Sequence, residues 1–167
     1  MNATPLNATA YGPFGAVIAA RADVRYVRAN LGFARRYNFL APLDSTRSGA
    51  RPNLCVFCCE PMVPLGENSF SVTLLERHPF STQVFIPMAG VGRYLVIVAR
   101  GESVPDLGTL RAFLATGQQG VTYAPGVWHH PLVALDQSSD FTCLVWEDGS
   151  DGDCAVHKLA TPLTIAF

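Results

Sequence analysis

Two short stretches of this sequence gather side chains that can exchange protons or hold a metal: Leu74-Leu75-Glu76-Arg77-His78-Pro79-Phe80-Ser81-Thr82-Gln83, and Pro125-Gly126-Val127-Trp128-His129-His130. Read at the two-residue period of a strand, Val72, Leu74, Glu76 and His78 share one face, while Ser71, Thr73, Leu75 and Arg77 share the other. A carboxylate and an imidazole thus continue an apolar stripe. Ionisable groups on a buried face are costly unless they are hydrogen-bonded, paired or metal-bound, so the pattern points to a lined cavity. The plainer alternative is a strand end where both side chains emerge into water. His78 precedes Pro79, which holds its backbone extended and restricts the direction of its ring.

Strand-like runs surround both stretches, at residues 16–19, 53–60, 69–77, 83–86, 94–99, 120–123, 127–131, 132–135, 141–146 and, as a last edge strand, 156–159. Residues 94–99 are almost continuously apolar, as expected of a central strand covered on both faces. Gly and Pro punctuate the runs, with breaks at Pro61, Pro64 and Gly66 and turns at Pro87-Met88-Ala89-Gly90 and Ala124-Pro125-Gly126. One segment has helical logic: Asp106 follows Pro105 as a cap, Leu107, Leu110, Phe113 and Leu114 recur at helical spacing, and Gly117 suits the C-terminus. Residues 1–10 read as a loose arm, and residues 21–51 as irregular and arginine-rich. Arg35 and Arg36 there are either a solvated pair or a clamp for a substrate carboxylate. The acidic loop from Glu147 to Asp153 lacks the ligand spacing of a calcium loop. Many short strands with one or a few short helices predict a mostly β protein, an antiparallel barrel of jelly-roll type, with residues 1–167 as one domain.

Composition narrows the classes of partner. Twelve Lys and Arg against 13 Asp and Glu give a net charge of −1, which provides no basic field for nucleic acid or an acidic membrane. Only 15% of residues are charged and 49% are hydrophobic, leaving apolar surface for a subunit interface. The five cysteines, Cys55, Cys58, Cys59, Cys143 and Cys154, are odd in number and lack framework spacing. Cys55-Val-Phe-Cys58 has no second pair to complete a zinc site, so these thiols read as buried apolar groups in a reducing compartment. No apolar stretch approaches membrane-spanning length and residues 1–10 show no secretory pattern, so a cytoplasmic location is expected.

Spacing brings the two stretches together. Glu76-x-His78, four residues, Gln83, six residues, Gly90 is similar to the first motif of cupin barrels, and Pro125-Gly126-Val127-Trp128-His129 to the core of the second. In the cupin pattern Glu76 stands where a histidine is usual and Gln83 where a glutamate is usual; Val133 replaces the usual asparagine. The resemblance implies a set of Glu76, His78, Gln83 and His129 for a divalent metal: nickel, zinc or iron by ligand type. A metal-free pocket using the same groups as acids, bases and donors is the other reading.

At finer grain, Leu75-Glu76-Arg77-His78-Pro79, Thr82-Gln83-x-Phe85-Ile86-Pro87-Met88, Pro105-Asp106-Leu107-x-Thr109-Leu110-Arg111-Ala112-Phe113 and Gly120-Val121-x-Tyr123-x-x-Gly126-Val127-Trp128-His129-His130-Pro131-Leu132 resemble ureidoglycolate lyases. That resemblance implies a cupin-like barrel, usually a homodimer, that splits ureidoglycolate into glyoxylate and urea in allantoin degradation, with nickel the first metal to consider. It makes Glu76, His78 and His129 the expected catalytic groups, and Arg36, Tyr37, Arg77, Gln83, Tyr123 and His130 the expected substrate contacts. Trp128 is expected in the core. A non-catalytic cupin that senses a small carboxylate, and a metal-dependent isomerase or oxygenase, are the alternatives.

Overall fold

The computed structural model describes residues 1–62 and 68–167; the expected breaks at Pro64 and Gly66 lie outside the described residues. In chain order the elements are β1 (Thr4–Pro5), α1 (Ala8–Tyr11), β2 (Val17–Ile18), β3 (Tyr26–Ala29), β4 (Ala34–Tyr37), β5 (Arg51–Cys59), β6 (Ser69–Arg77) and β7 (Gln83–Pro87). They continue with β8 (Arg93–Arg100), β9 (Asp106–Thr116), β10 (Gly120–Tyr123), β11 (Trp128–His129), β12 (Val133–Ala134), β13 (Ser139–Glu147) and β14 (Ala155–Ala166). A seven-stranded sheet runs β1-β9-β8-β11-β6-β14, with β12 also on β8, and a five-stranded sheet runs β2-β10-β7-β13-β5. The chain alternates between them, so that β6, β7 and β8, then β9, β10 and β11, change sheet at almost every turn. This is a jelly-roll arrangement of two sheets that do not close on themselves.

Alternation along each strand builds the core between the sheets. Tyr94, Val96, Val98, Phe113 and Ala115 from the seven-stranded sheet meet Val17, Phe85, Val121, Tyr123, Phe141, Cys143 and Val145 from the other. Tyr11 plugs one end, fully buried, its hydroxyl donating to the Thr122 carbonyl at 3.1 Å. Each large side chain buried here contributes roughly 1.5–3 kcal/mol. A second cluster, with Leu75, Leu95, Ile97, Trp128 and Ile165, covers the opposite face of the seven-stranded sheet. Trp128 is a core residue, as its type suggested.

Three expectations are corrected. The segment expected to be helical is β9, paired along its length with β8 and near its C-terminal end with β1. Its residues are apolar on both faces, Leu110 and Ala112 toward one cluster and Phe113 and Ala115 toward the other, and that mixture imitates a helical repeat. The arm at residues 1–10 is tied down: β1 joins β9 as a parallel strand, Asn2 bridges Ala166, and Asn7 caps α1 through a bond from the Ala10 N–H. Finally, Val72 does not share the face of Glu76, because it packs with Leu75 in the second cluster. The β6–β14 register shifts between Lys158 and Leu163, opposite this point.

Candidate active site

The site starts from a strand pairing. β11 lies between β6 and β8, and its His129 stands opposite both Glu76 and Val98, so these side chains share the inner face. His78 follows the end of β6 and is tied to the second stretch by the backbone, since the Gly126 N–H donates to the His78 carbonyl at 2.9 Å. Gly126 makes the turn at φ +78°, a conformation that glycine adopts freely. Glu76, His78 and His129 thereby bring one ligand atom each to within 4.8 Å of one another.

Hydrogen bonding fixes which ring atoms are free. His129 Nδ1 lies 3.0 Å from the Val127 carbonyl and His78 Nδ1 lies 2.9 Å from the Asp153 carbonyl. A carbonyl only accepts, so both Nδ1 atoms carry the proton and both Nε2 atoms keep a lone pair. His129 Nε2 is buried with no hydrogen-bond partner among the described residues, 3.7 Å from Glu76 Oε1. A lone pair facing a carboxylate lacks a proton or a cation between them.

Burial sets the ionisation of the group. His129, 1% exposed, is pushed down to about 3 because its charged form would be desolvated. His78 is also lowered by burial, with the Glu147 charge acting in the opposite direction. The same desolvation raises Glu76 above the ordinary carboxylate value. Both imidazoles are therefore neutral near pH 7. The five-stranded sheet supplies the facing wall: Tyr123 stacks flat on His129 at 4.0 Å between centroids, and Gln83 stands opposite Tyr123 in register. The Tyr123 hydroxyl and Gln83 Oε1, like His129 Nε2, are buried with no partner among the described residues.

Two imidazole lone pairs and a carboxylate, each imidazole oriented by a backbone carbonyl, fit a divalent transition metal, with Gln83 Oε1 as a further oxygen. The orphaned His129 Nε2 is the observation that favours this fit.

The other expected contacts lie elsewhere. Arg36 is exposed on β4, in a hairpin with β3 apart from both sheets. Tyr37 packs on Tyr26 and lines a groove with Val84, Ile86 and Leu144, on the outer face of the five-stranded sheet. Arg77 lies over the Trp128 ring, 4.7 Å from its centroid, and donates to the Glu102 carbonyl. Parity also turns His130 away, edge-on to Phe70, with Nδ1 2.7 Å from the Pro131 carbonyl.

Residues not anticipated from the sequence support the cluster from behind. Asp153 presents its carbonyl to His78, while its carboxylate pairs with Arg47 and accepts the N–H groups of Asp148 and Gly149. Glu147 accepts from Asn53 Nδ2 at 2.8 Å, and its charge reaches His78. The sequence did carry a signal for Glu147, because Phe141, Cys143, Val145 and Glu147 alternate as an apolar stripe ending in an acid.

Comparison with known proteins gives a family. The chain matches the family described as "Ureidoglycolate lyase" over residues 1–166. It is 45% identical to a ureidoglycolate lyase of Burkholderia cepacia over 164 residues, covering 97% of this chain and 88% of that protein. A Pseudomonas aeruginosa ureidoglycolate lyase is 39% identical over 153 residues, covering 92% and 86%. One from Schizosaccharomyces pombe is 35% identical over 181 residues, covering 98% and 93%. Among solved structures, a dTDP sugar isomerase of Desulfovibrio desulfuricans aligns with a TM-score of 0.47 at 13% identity, over 89% of this chain and 88% of that one. Extent and identity over almost the whole length place this chain in the ureidoglycolate lyase family.

Proposed function

We propose that this chain is a carbon–nitrogen lyase that cleaves ureidoglycolate to glyoxylate and urea, a step of allantoin degradation, with Glu76, His78 and His129 as its reacting centre. The observation that carries the site is the convergence of these three side chains, within 4.8 Å, in a member of this family.

One carbon of ureidoglycolate bears both a hydroxyl and a ureido nitrogen. Cleavage removes the hydroxyl proton, turns the C–O bond into a carbonyl and breaks the C–N bond; the nitrogen leaves with the electron pair and takes up a proton as urea. His78 and His129 are neutral, and their N–H groups are held by the Asp153 and Val127 carbonyls, so neither has a proton to give. Glu76 is then the group that accepts the hydroxyl proton and passes it to the departing nitrogen, through the carboxylate oxygen that a bound ion would leave free; without an ion, burial raises its pKa toward that task. General acid–base help of this kind is worth about 10²- to 10⁴-fold.

Glu76, His78 and His129, with Gln83, are the residues that would hold a divalent ion, nickel first and zinc or iron next. Such an ion, when bound, acidifies a chelated hydroxyl and offsets the charge of the substrate carboxylate. That second service matters here, since among the described residues no arginine or lysine bonds to the cluster side chains. Tyr123 and Gln83 line the same space and orient the substrate. Among the described residues no helix is long and apolar enough to cross a membrane.

Purified protein is incubated with ureidoglycolate and glyoxylate is followed, before and after dialysis against a chelator and after return of nickel, zinc or iron. Glyoxylate formation that falls on dialysis and returns with one metal is expected. No glyoxylate above the uncatalysed background in any arm would sink the assignment.

A further inference from the structure

β5 and β13 pair along nine residues, and one rung sets Cys55 directly opposite Cys143. Opposed Cα atoms in an antiparallel ladder are about 4.5 or 5.5 Å apart. Both separations fall inside the span of roughly 4.4–6.8 Å that a disulfide bridges. The two side chains share the inner face: Cys143 is fully buried in the inter-sheet core, and Cys55 packs against that core while partly exposed on the outermost strand. Cys58 is exposed, three residues along and on the opposite face, so its spacing to Cys55 forms no pair. Both Cys55 and Cys143 are free thiols. On β7, Cys143 stands opposite Phe85, and Gln83 lies two residues along that strand on the same inner face, with Tyr123 as its own neighbour in register.

We propose that Cys55 and Cys143 form a reversible dithiol–disulfide pair whose closure draws the Cys143 sulfur toward β5, away from the β7 side that carries Gln83, and slows turnover. The oxidant is a low-molecular-weight disulfide. The Cys55 thiolate attacks one of its sulfurs and expels a thiolate, giving a mixed disulfide. The Cys143 sulfur then attacks Cys55 Sγ and expels the second thiolate. The two protein thiols lose two electrons in all, and the reagent takes up two electrons and the two protons. Cys55 is the entry point because it is the more exposed of the two. Only the effect on turnover rests on the lyase reading.

The full chain is treated with glutathione disulfide, digested without reductant and examined by mass spectrometry, with turnover measured in parallel. A peptide joining residues 55 and 143 is expected, with kcat lowered about tenfold, as for other changes to a group behind a site, and restored by dithiothreitol. Cys55→Ser abolishes both the joined peptide and the response, whereas Cys58→Ser keeps both. Glutathione found on Cys58 with no joined peptide would overturn the pair, and a joined form that turns over as fast as the reduced one would overturn its effect on the site. If even the reduced protein makes no glyoxylate, the lyase reading fails separately. The coupling is then read from nickel affinity by calorimetry: weaker binding to the joined form supports it, and equal binding overturns it.

Discussion

His129 owes its usefulness to the burial that denies it a charge. An imidazole that stays neutral down to about pH 3 keeps its Nε2 lone pair at every physiological pH, while Val127 keeps its proton on Nδ1. The same burial has a consequence for folding. Between the ordinary value of 6.5 and about 3, the unfolded chain binds a proton that folded His129 refuses, so stability drains away as pH falls through that window. Glu76 has the opposite sign: its raised folded value means its contribution is present in acid and lost as pH rises through that value. In the metal-free protein the His129 contribution should therefore lower the melting temperature progressively from pH 6.5 toward pH 3, and His129→Gln should remove that part of the pH slope. Identical slopes in the two proteins would show that His129 is not the group responsible. Glu76→Gln separates chemistry from folding, with kcat expected to drop about 10²- to 10⁴-fold. Its thermal midpoint should move by no more than about 3 °C, roughly 1 kcal/mol for a chain of this size. Comparable losses in activity and stability would reassign Glu76 to a structural part. Glu76, His78 and His129 were legible in the sequence because each breaks a local rule, a polar group where alternation demands an apolar one. Arg36 and Tyr37 broke no such rule, and they lie on the exposed hairpin and on an outer face.

Elements place these residues, and the loop between β13 and β14 does so most directly. Its Asp153 holds His78 by a backbone carbonyl, and Arg47, far away in sequence, holds Asp153 and also Asp148 at 2.9 Å. Arg47→Ala should loosen the loop and let the His78 ring turn. Its positioning role predicts about a 10- to 100-fold loss of metal affinity or kcat, as is usual for partners of metal-binding histidines. Arg47→Lys should recover part of that loss. Unchanged nickel affinity in Arg47→Ala would show that His78 is held by its own backbone alone. No sequence pattern reveals such a relay, because the Arg47 side chain reaches the Asp153 carboxylate across 106 positions and Asp153 meets His78 only through its backbone carbonyl. The helical look of the β9 sequence has a related cause. A strand covered on both faces loses its alternation, and Asp106, which looked like a helix cap, instead accepts from the Gly108 N–H in a turn beside the β8–β9 register shift. The strands buried on alternate residues, such as β13, and the bounded run of β6 announced themselves at close to their observed limits.

At the scale of the molecule, the second face of the five-stranded sheet is what composition foretold as apolar surface. Leu54 is 72% exposed, Val56 55% and Ile86 42%, and beside them Phe39 is fully exposed, over a groove of about 420 Å³ that Leu40, Leu43 and Leu144 also line. A patch of this kind is rare on a chain that stays alone in water. The even charge balance, 12 basic against 13 acidic residues, gives no cue for a partner of opposite charge, so a second copy of the chain is the occupant it suits. Two-fold pairing would set the same patch against itself and leave the inner face, with its site, open in each copy. Sedimentation velocity should then report a dimer. Leu54→Asp with Ile86→Asp, both on the exposed side of their strands, should weaken it by about 2 kcal/mol or more, roughly 30-fold in Kd, because each buries an unpaired charge at the centre of the contact. The circular dichroism spectrum should be unchanged. A wild-type monomer at every concentration, or a double variant that dimerises as tightly as wild type, would free this face from that role. The catalytic centre should stay competent in the dissociated variant, since Glu76, His78, His129, Gln83 and Tyr123 all come from one chain and lie between its sheets rather than on this outer surface.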